Sequence, residues 1–169
     1  MSVTLEQLLE SRDRRRDRQT ELIGQHPGKT LVCLTVVLPG PVKRDARSMK
    51  VAAAAVSAVR NILQPEWDDL LDLETGFEGY FIVDGSPTEV KRTCCFIEDT
   101  HPLGRLMDLD VVEAEGETVV PMGRDRVGLE ARRCLVCGAP ARDCMRNRKH
   151  TLDELLAKID MILSFDENP

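Results

Sequence analysis

The sequence predicts an α+β domain, a mixed and largely antiparallel sheet with helices packed on it. Three observations carry that expectation. Apolar residues recur at helical spacing near the start, in the middle and near the end of the chain. β-branched runs and alternating stretches fall between them, and these strands outnumber any βαβ units they could form. Glu115-Gly116-Glu117 and the Gly76–Gly79 stretch supply hairpin signals, which favour antiparallel neighbours.

Thr4-Leu5-Glu6-Gln7 has capping-box spacing and opens a helix with Leu5, Leu8 and Leu9 on one face. The helix runs through an Arg/Asp-rich stretch to Leu22 and Ile23, and His26-Pro27-Gly28 ends it. Leu31–Leu38 is a continuous apolar, β-branched run, as expected of a strand covered on both faces. Pro39-Gly40-Pro41 breaks it. A second helix follows, with Met49, Ala52, Ala53, Val56, Val59 and Leu63 inward, and Pro65 stops it. Two short strands are expected between Leu70 and Val83. A turn at Asp84-Gly85-Ser86-Pro87 and a helical turn over 87–91 then lead into a strand at Thr93–Glu98. Leu103–Val111 is read as a glycine-preceded strand pairing with Thr118–Met122. Thr151-Leu152-Asp153-Glu154 caps the last helix, with Leu152, Leu155, Leu156, Ile159, Ile162 and Leu163 inward, before an acidic tail that ends in proline.

At 169 residues the chain fits a single domain, 1–169, with a small Cys/His-rich element at 132–150. A net charge of −6 argues against general nucleic-acid affinity. The charge is uneven. Residues 124–149 hold seven Arg and one Lys against three acids, a local +5 that suits a charged substrate or partner. The apolar runs are too short to span a membrane, which takes roughly 20 residues, and no signal-peptide core is seen. The expected location is the cytoplasm, where the six cysteines would be reduced, metal-bound or buried.

Asp108 and Asp110 carry the strongest chemical signal. Two positions apart on a strand, they project from one face. Carboxylates that close repel unless a cation lies between them, and Mg2+ commonly takes one or two carboxylates plus substrate phosphates. Gly104 would let a phosphate approach the backbone, and Arg105 could pair with it. A third acid often assists such a site as ligand or base; Glu98 is the first candidate and Glu113 the second. Pro39-Gly40-Pro41-Val42-Lys43 lies between a strand and a helix, where backbone N–H groups can bind anions. Two of its five residues lack an N–H, so a rigid turn is an equal reading, with Lys43 supplying charge in either case.

Cys134-x2-Cys137-x6-Cys144-x5-His150 matches a tetrahedral Cys3His set for Zn2+. Alternatively the cysteines pack as small hydrophobes, while Arg132, Arg133, Arg142, Arg146, Lys149 and His150 face a polyphosphate.

The string His101-Pro102-Leu103-Gly104-Arg105-Leu106-Met107-Asp108-Leu109-Asp110-Val111 resembles the signature of the holo-citrate lyase synthase family, the apo-citrate lyase phosphoribosyl-dephospho-CoA transferases. Three further stretches resemble that family in the same order: Glu10-Ser11-Arg12-Asp13, Thr35–Lys43, and Arg132–Cys137 running on to Cys144, Arg146 and His150. The resemblance implies a nucleotidyltransferase-like fold and a Mg2+-dependent reaction. In it, the 2'-(5''-triphosphoribosyl)-3'-dephospho-CoA prosthetic group passes to a serine of the citrate lyase acyl carrier protein, releasing pyrophosphate. Asp108 and Asp110 would hold the metal; Arg105, Lys43, Arg132 and Arg133 would meet the phosphates. Two other functions fit the residues: a nucleotidyltransferase serving another acyl carrier, such as that of malonate decarboxylase, and a non-catalytic zinc-knuckle interaction module.

Overall fold

The structure, a computed structural model, describes residues 2–165; the acidic tail read in the sequence lies outside the described residues. Five helices and five strands follow one another as α1 (Leu5–Gln25), β1 (Thr30–Val36), α2 (Ala46–Leu63), β2 (Trp67–Leu73), β3 (Gly76–Val83), α3 (Pro87–Thr100), β4 (Met107–Glu115), β5 (Thr118–Pro121), α4 (Ala141–Arg146) and α5 (Leu152–Phe165). The strands form one sheet in the order β2-β3-β1-β4-β5, and every neighbouring pair is antiparallel. The α+β expectation is met, without the parallel pairs that a mixed sheet would contain.

β1 is apolar throughout because it is the central strand. Val32 and Leu34 face the larger core, formed with α2, α3 and α5, while Leu31 and Cys33 face a smaller one with Leu22 of α1, Tyr80, Ile82 and Val112. The capping boxes read at Thr4 and Thr151 both form, and so does the hairpin, with Glu115 opposite Thr118. α2 approaches the sheet closely through Val51, Ala52, Ala55 and Ala58; Ala53, expected inward, is exposed.

Several sequence expectations are overturned. The strand read from Leu103 starts only at Met107, because Gly104–Leu106 forms a 3-10 turn. Thr93–Glu98 is not a strand but the C-terminal half of α3. Its Thr-Cys-Cys-Phe-Ile run is β-like in composition, but the Ser86/Glu89 capping box with Pro87 at the first turn starts a helix that nothing stops before His101. Val90, Cys94 and Ile97 then fall on one buried face. In α1, Leu5 and Leu9 are exposed, and the buried positions are Ser11 and Leu22. The helix crosses the sheet on a polar stripe: Arg15 binds Glu78 at 2.8 Å, Ser11 donates to the same carboxylate, and Gln19 reaches Cys33.

Candidate active site and its cleft

Alternation along β4 puts Met107, Leu109 and Val111 into the large core and turns Asp108 and Asp110 to the opposite face. Their partners on β1 are Thr35, opposite Asp108, and Cys33, opposite Asp110. The two carboxylates therefore sit side by side on a strand anchored by three fully buried neighbours. Both side chains remain about 40% exposed, Asp108 at 40% and Asp110 at 42%. Burial of part of the group, and then the charge of Asp108, push the Asp110 carboxyl up to about 6. Lys91, 3.7 Å from Asp110, and Arg132, beside Asp108, pull the other way without cancelling the rise.

The outer edge of β4 is held by side chains instead of a strand. β5 pairs only with Val112–Glu115, so the backbone groups of Met107 and Leu109 need other partners. Glu98 accepts from Leu109 N–H at 2.8 Å, Lys91 donates to Leu109 C=O at 3.1 Å, and Arg132 donates to Met107 C=O. Lys91 and Glu98 lie seven residues apart on the buried face of α3, each only a few per cent exposed. Glu98 is thus placed on a helix, not at the end of an adjacent strand, and its other oxygen takes Arg124 at 3.0 Å. Its carboxyl is pushed up by burial, against the pull of Arg132 and the Leu109 N–H. Glu113 is bound by Arg126. Lys91 and Arg124 were missed in the sequence. A lysine and a glutamate inside an apolar helical stripe were the available signal, hidden by reading 93–98 as a strand.

Gly104 does a different job from the one expected. It is buried against the end of α3, where an added Cβ would lie 2.5 Å from the carbonyl oxygens of Ile97 and Glu98. Glycine is required there for packing, not for approach of a phosphate. The Pro39–Lys43 segment also departs from an anion cradle. Lys43 donates to Leu38 C=O at 2.6 Å, and burial pushes its pKa down. Asp45 caps the N-terminus of α2, so an anion of the protein already occupies that helix end. Gly40, at φ 85°, turns the chain against Leu152 of α5.

Arg132 connects the aspartates to a cleft. Its guanidinium lies 3.2 Å from Asp108, and it lines a cavity of about 840 Å³ between the Pro39-Gly40 turn and the 132–150 element. Arg105, Arg133 and Arg148 line the same cavity, alongside the apolar Leu135, Leu152 and Leu155. Of the sequence-predicted residues the cleft gathers Arg105, Arg132, Arg133, Cys134, Cys144 and His150, and leaves out Lys43, Glu98, Gly104, Asp108, Asp110 and Cys137.

The far wall is the Cys/His element. The ligand atoms of Cys134, Cys137, Cys144 and His150 all lie within 4.8 Å of one another. Cys137 Sγ is 3.5 Å from Cys144 Sγ and 3.3 Å from His150 Nε2. A tetrahedral ion with bonds near 2.3 Å needs ligand separations of about 3.8 Å, so the four can hold a metal ion. The turn that brings Cys134 and Cys137 together is closed by Cys134 N–H to Ala139 C=O at 2.6 Å, with Gly138 at φ 71°. Hydrogen bonds from the Ala139 N–H, then from His150 and Cys144, hold the Cys137 thiol down to about 6. Cys33, Cys94 and Cys95, by contrast, are buried thiols pushed up by desolvation.

The sequence model of the family "Apo-citrate lyase phosphoribosyl-dephospho-CoA transferase" matches residues 3–165. The chain belongs to this family. A protein of Vibrio cholerae serotype O1 (strain M66-2) named "Probable apo-citrate lyase phosphoribosyl-dephospho-CoA transferase" is 38% identical over 166 residues, covering 95% of this chain and 91% of its own. The "Apo-citrate lyase phosphoribosyl-dephospho-CoA transferase" of Citrobacter koseri is 33% identical over 167 residues, 96% of this chain and 89% of its own. "Protein CitXG" of Haemophilus influenzae is 36% identical over 95% of this chain but only 35% of its own. Membership in this transferase family makes the chain an enzyme and sets aside the interaction-module reading. Among the described residues no helix is long and apolar enough to cross a membrane.

Proposed function

We propose that this transferase attaches the prosthetic group of 2'-(5''-triphosphoribosyl)-3'-dephospho-CoA to a serine of the citrate lyase acyl carrier protein. The serine oxygen bonds to the α-phosphorus of the triphosphate, the bond from that phosphorus to the pyrophosphate oxygen breaks, and the serine proton is lost to solvent. The observation that carries this reading is the placement of Asp108 and Asp110 beside a cleft that Arg132 joins to them.

The aspartate pair fits Mg2+: two hard oxygen donors on one strand face, one with its pKa raised by burial and then by the other's charge. Bound between Asp108 and Asp110, Mg2+ would neutralise phosphate charge and lower the pKa of the attacking hydroxyl. The protein's own groups do the rest. Arg132 holds Asp108 in position while facing the cleft, and Arg105 and Arg133 offer charge to the departing pyrophosphate. Lys91, Glu98 and Arg124 fix the strand from its edge, so we assign Glu98 a bracing role instead of that of metal ligand or base. The Cys134/Cys137/Cys144/His150 set suits Zn2+ in a structural role, because four protein ligands leave no open position. The acidic carrier protein would be steered by the +5 segment at 124–149.

The test is pyrophosphate release with precursor and apo carrier protein together. The reading requires release only when both are present and a carrier protein heavier by one phosphoribosyl-dephospho-CoA. Release without carrier modification would refute it. Supplying the malonate decarboxylase carrier in place of the citrate lyase one separates the two carrier assignments.

A further inference from the structure

Arg148 lines the cleft from an unusual backbone. It sits at φ 46°, one of two non-glycine residues at positive φ among the described residues. The other, Gln64, caps α2, where left-handed geometry is common. At Arg148 the turn itself has a clear purpose. Arg148 N–H bonds Met145 C=O at 3.3 Å and Lys149 N–H bonds Cys144 C=O at 3.0 Å, reversing the chain so that Cys144 and His150 meet. Glycine or asparagine would make this turn with less crowding of the Cβ. The turn explains the backbone and leaves the arginine unexplained.

The side chain supplies the missing reason. Arg132 is engaged by Asp108 and Met107 C=O, Arg133 by Glu130 and Gly138 C=O, and Arg105 by Arg133 C=O. Among the described residues, Arg148 makes no hydrogen bond or ion pair through its guanidinium, and it is exposed on the cleft. A full set of donors is thus presented, from a strained position, to a cavity whose apolar wall includes Val37, Leu135, Met145 and Leu155. Strain retained at a concave site points to use of the side chain. The cavity, about 840 Å³, lies within the roughly 300–1,000 Å³ that encloses small ligands.

We infer that this cleft seats the dephospho-CoA half of the substrate, with Arg148 binding its diphosphate and the apolar wall taking the pantetheine arm. The inference rests on the proposed reaction, and it assigns opposite ends of one substrate to two places: triphosphate at the aspartates with Arg105 and Arg133, diphosphate at Arg148. Arg132, which touches both, marks the boundary.

The probe is 3'-dephospho-CoA, which lacks the reacting triphosphate and so reports on this cleft alone. Calorimetric titration should show binding to the wild-type protein, weakened tenfold or more in Arg148→Gly with the melting temperature unchanged or raised. Met145→Glu, on a side chain 75% exposed at the rim, should weaken binding similarly by setting a carboxylate near the phosphates. In transfer assays both variants should raise KM and leave kcat within about twofold. Unchanged binding of the probe to both variants would overturn the assignment, as would a wild-type enzyme that transfers normally but does not bind the probe. Normal probe binding without any transfer would leave the cleft assignment standing and refute the proposed reaction instead.

Discussion

β4 and the 132–150 element are joined through Arg132 and are held in opposite ways. β4 is anchored by Met107, Leu109 and Val111, all fully buried, and by a backbone edge that side chains of α3 complete. The 132–150 element has a six-residue helix, an isolated bridge between Arg133 and Pro140, and Cys134 and Cys144 as its buried side chains. So small a segment cannot bury enough apolar surface to order itself. The four convergent ligands are what can fix it. On the proposed function this is a division of labour, in which a rigid sheet would position the reacting groups and a wall able to hold a metal ion would shape the binding surface.

The most severe way to break that division is Cys134→Ser. If Zn2+ ties the wall, metal analysis should find about one equivalent in wild type and much less in the variant, because affinity for a structural ion is folding free energy. The loss should appear as lower thermal stability and a raised KM. Full stability and unaltered kinetics without metal would make the cluster ordinary packing.

Glu98→Ala tests the other side. Removing Glu98 leaves Leu109 N–H without its acceptor and Arg124 with Asp99 alone, a cost of about 1–3 kcal/mol, readable in a urea denaturation midpoint. If Glu98→Ala instead folds with native stability and fails only in transfer, Glu98 is a reacting acid and the bracing assignment is wrong.

How much of this was legible in the sequence differs between the two regions. Asp108 and Asp110 were legible because strand alternation is local, and the Cys/His spacing because metal ligands recur at fixed intervals. The α+β class followed from periodicity. The roles of Glu98, Lys91 and Gly104 come from packing of α3 against β4, a tertiary fact whose one local trace is a lysine and a glutamate inside an apolar helical stripe. Gly104 looked like a phosphate-approach glycine and proves to be a helix-contact glycine. The inward face of α1 is polar and so leaves no apolar period to read: Ser11 and Arg15 serve Glu78, while Leu5 and Leu9 are exposed.

A smaller effect is expected at the boundary. Replacing Arg132 and Arg133 together by Ala should lower kcat/KM by about 10- to 100-fold, roughly 1.4–2.8 kcal/mol. Steering of an acidic carrier would make the part of that loss due to Arg133 shrink at high salt, and the part due to Arg132, tied to Asp108, persist. No change in activity or its salt dependence would mark both as a solvated face.

The smallest effect concerns proton linkage at Asp110. Its folded pKa of about 6 lies above the unfolded value near 3.9, so the native state binds this proton more tightly. The stability it contributes is complete below about pH 4 and is lost as pH rises through about 6. With the side chain 42% exposed, screening limits the effect to about 1 kcal/mol. In magnesium-free buffer, Asp110→Asn should therefore gain on wild type in melting temperature between pH 4 and 7, and added Mg2+ should close the gap. A gap that does not vary with pH would contradict the electrostatic account of the pair.

The most direct test is to compare binding with chemistry in Asp108→Asn and Asp110→Asn, which alter charge with almost no change in volume. Single-turnover transfer to the apo carrier protein, followed by intact mass at saturating Mg2+ and substrate, should be at least about a thousand-fold slower in each, near 4 kcal/mol, while 3'-dephospho-CoA binds both as it binds wild type. Near wild-type transfer by either variant would contradict the claim that the chemistry resides on β4.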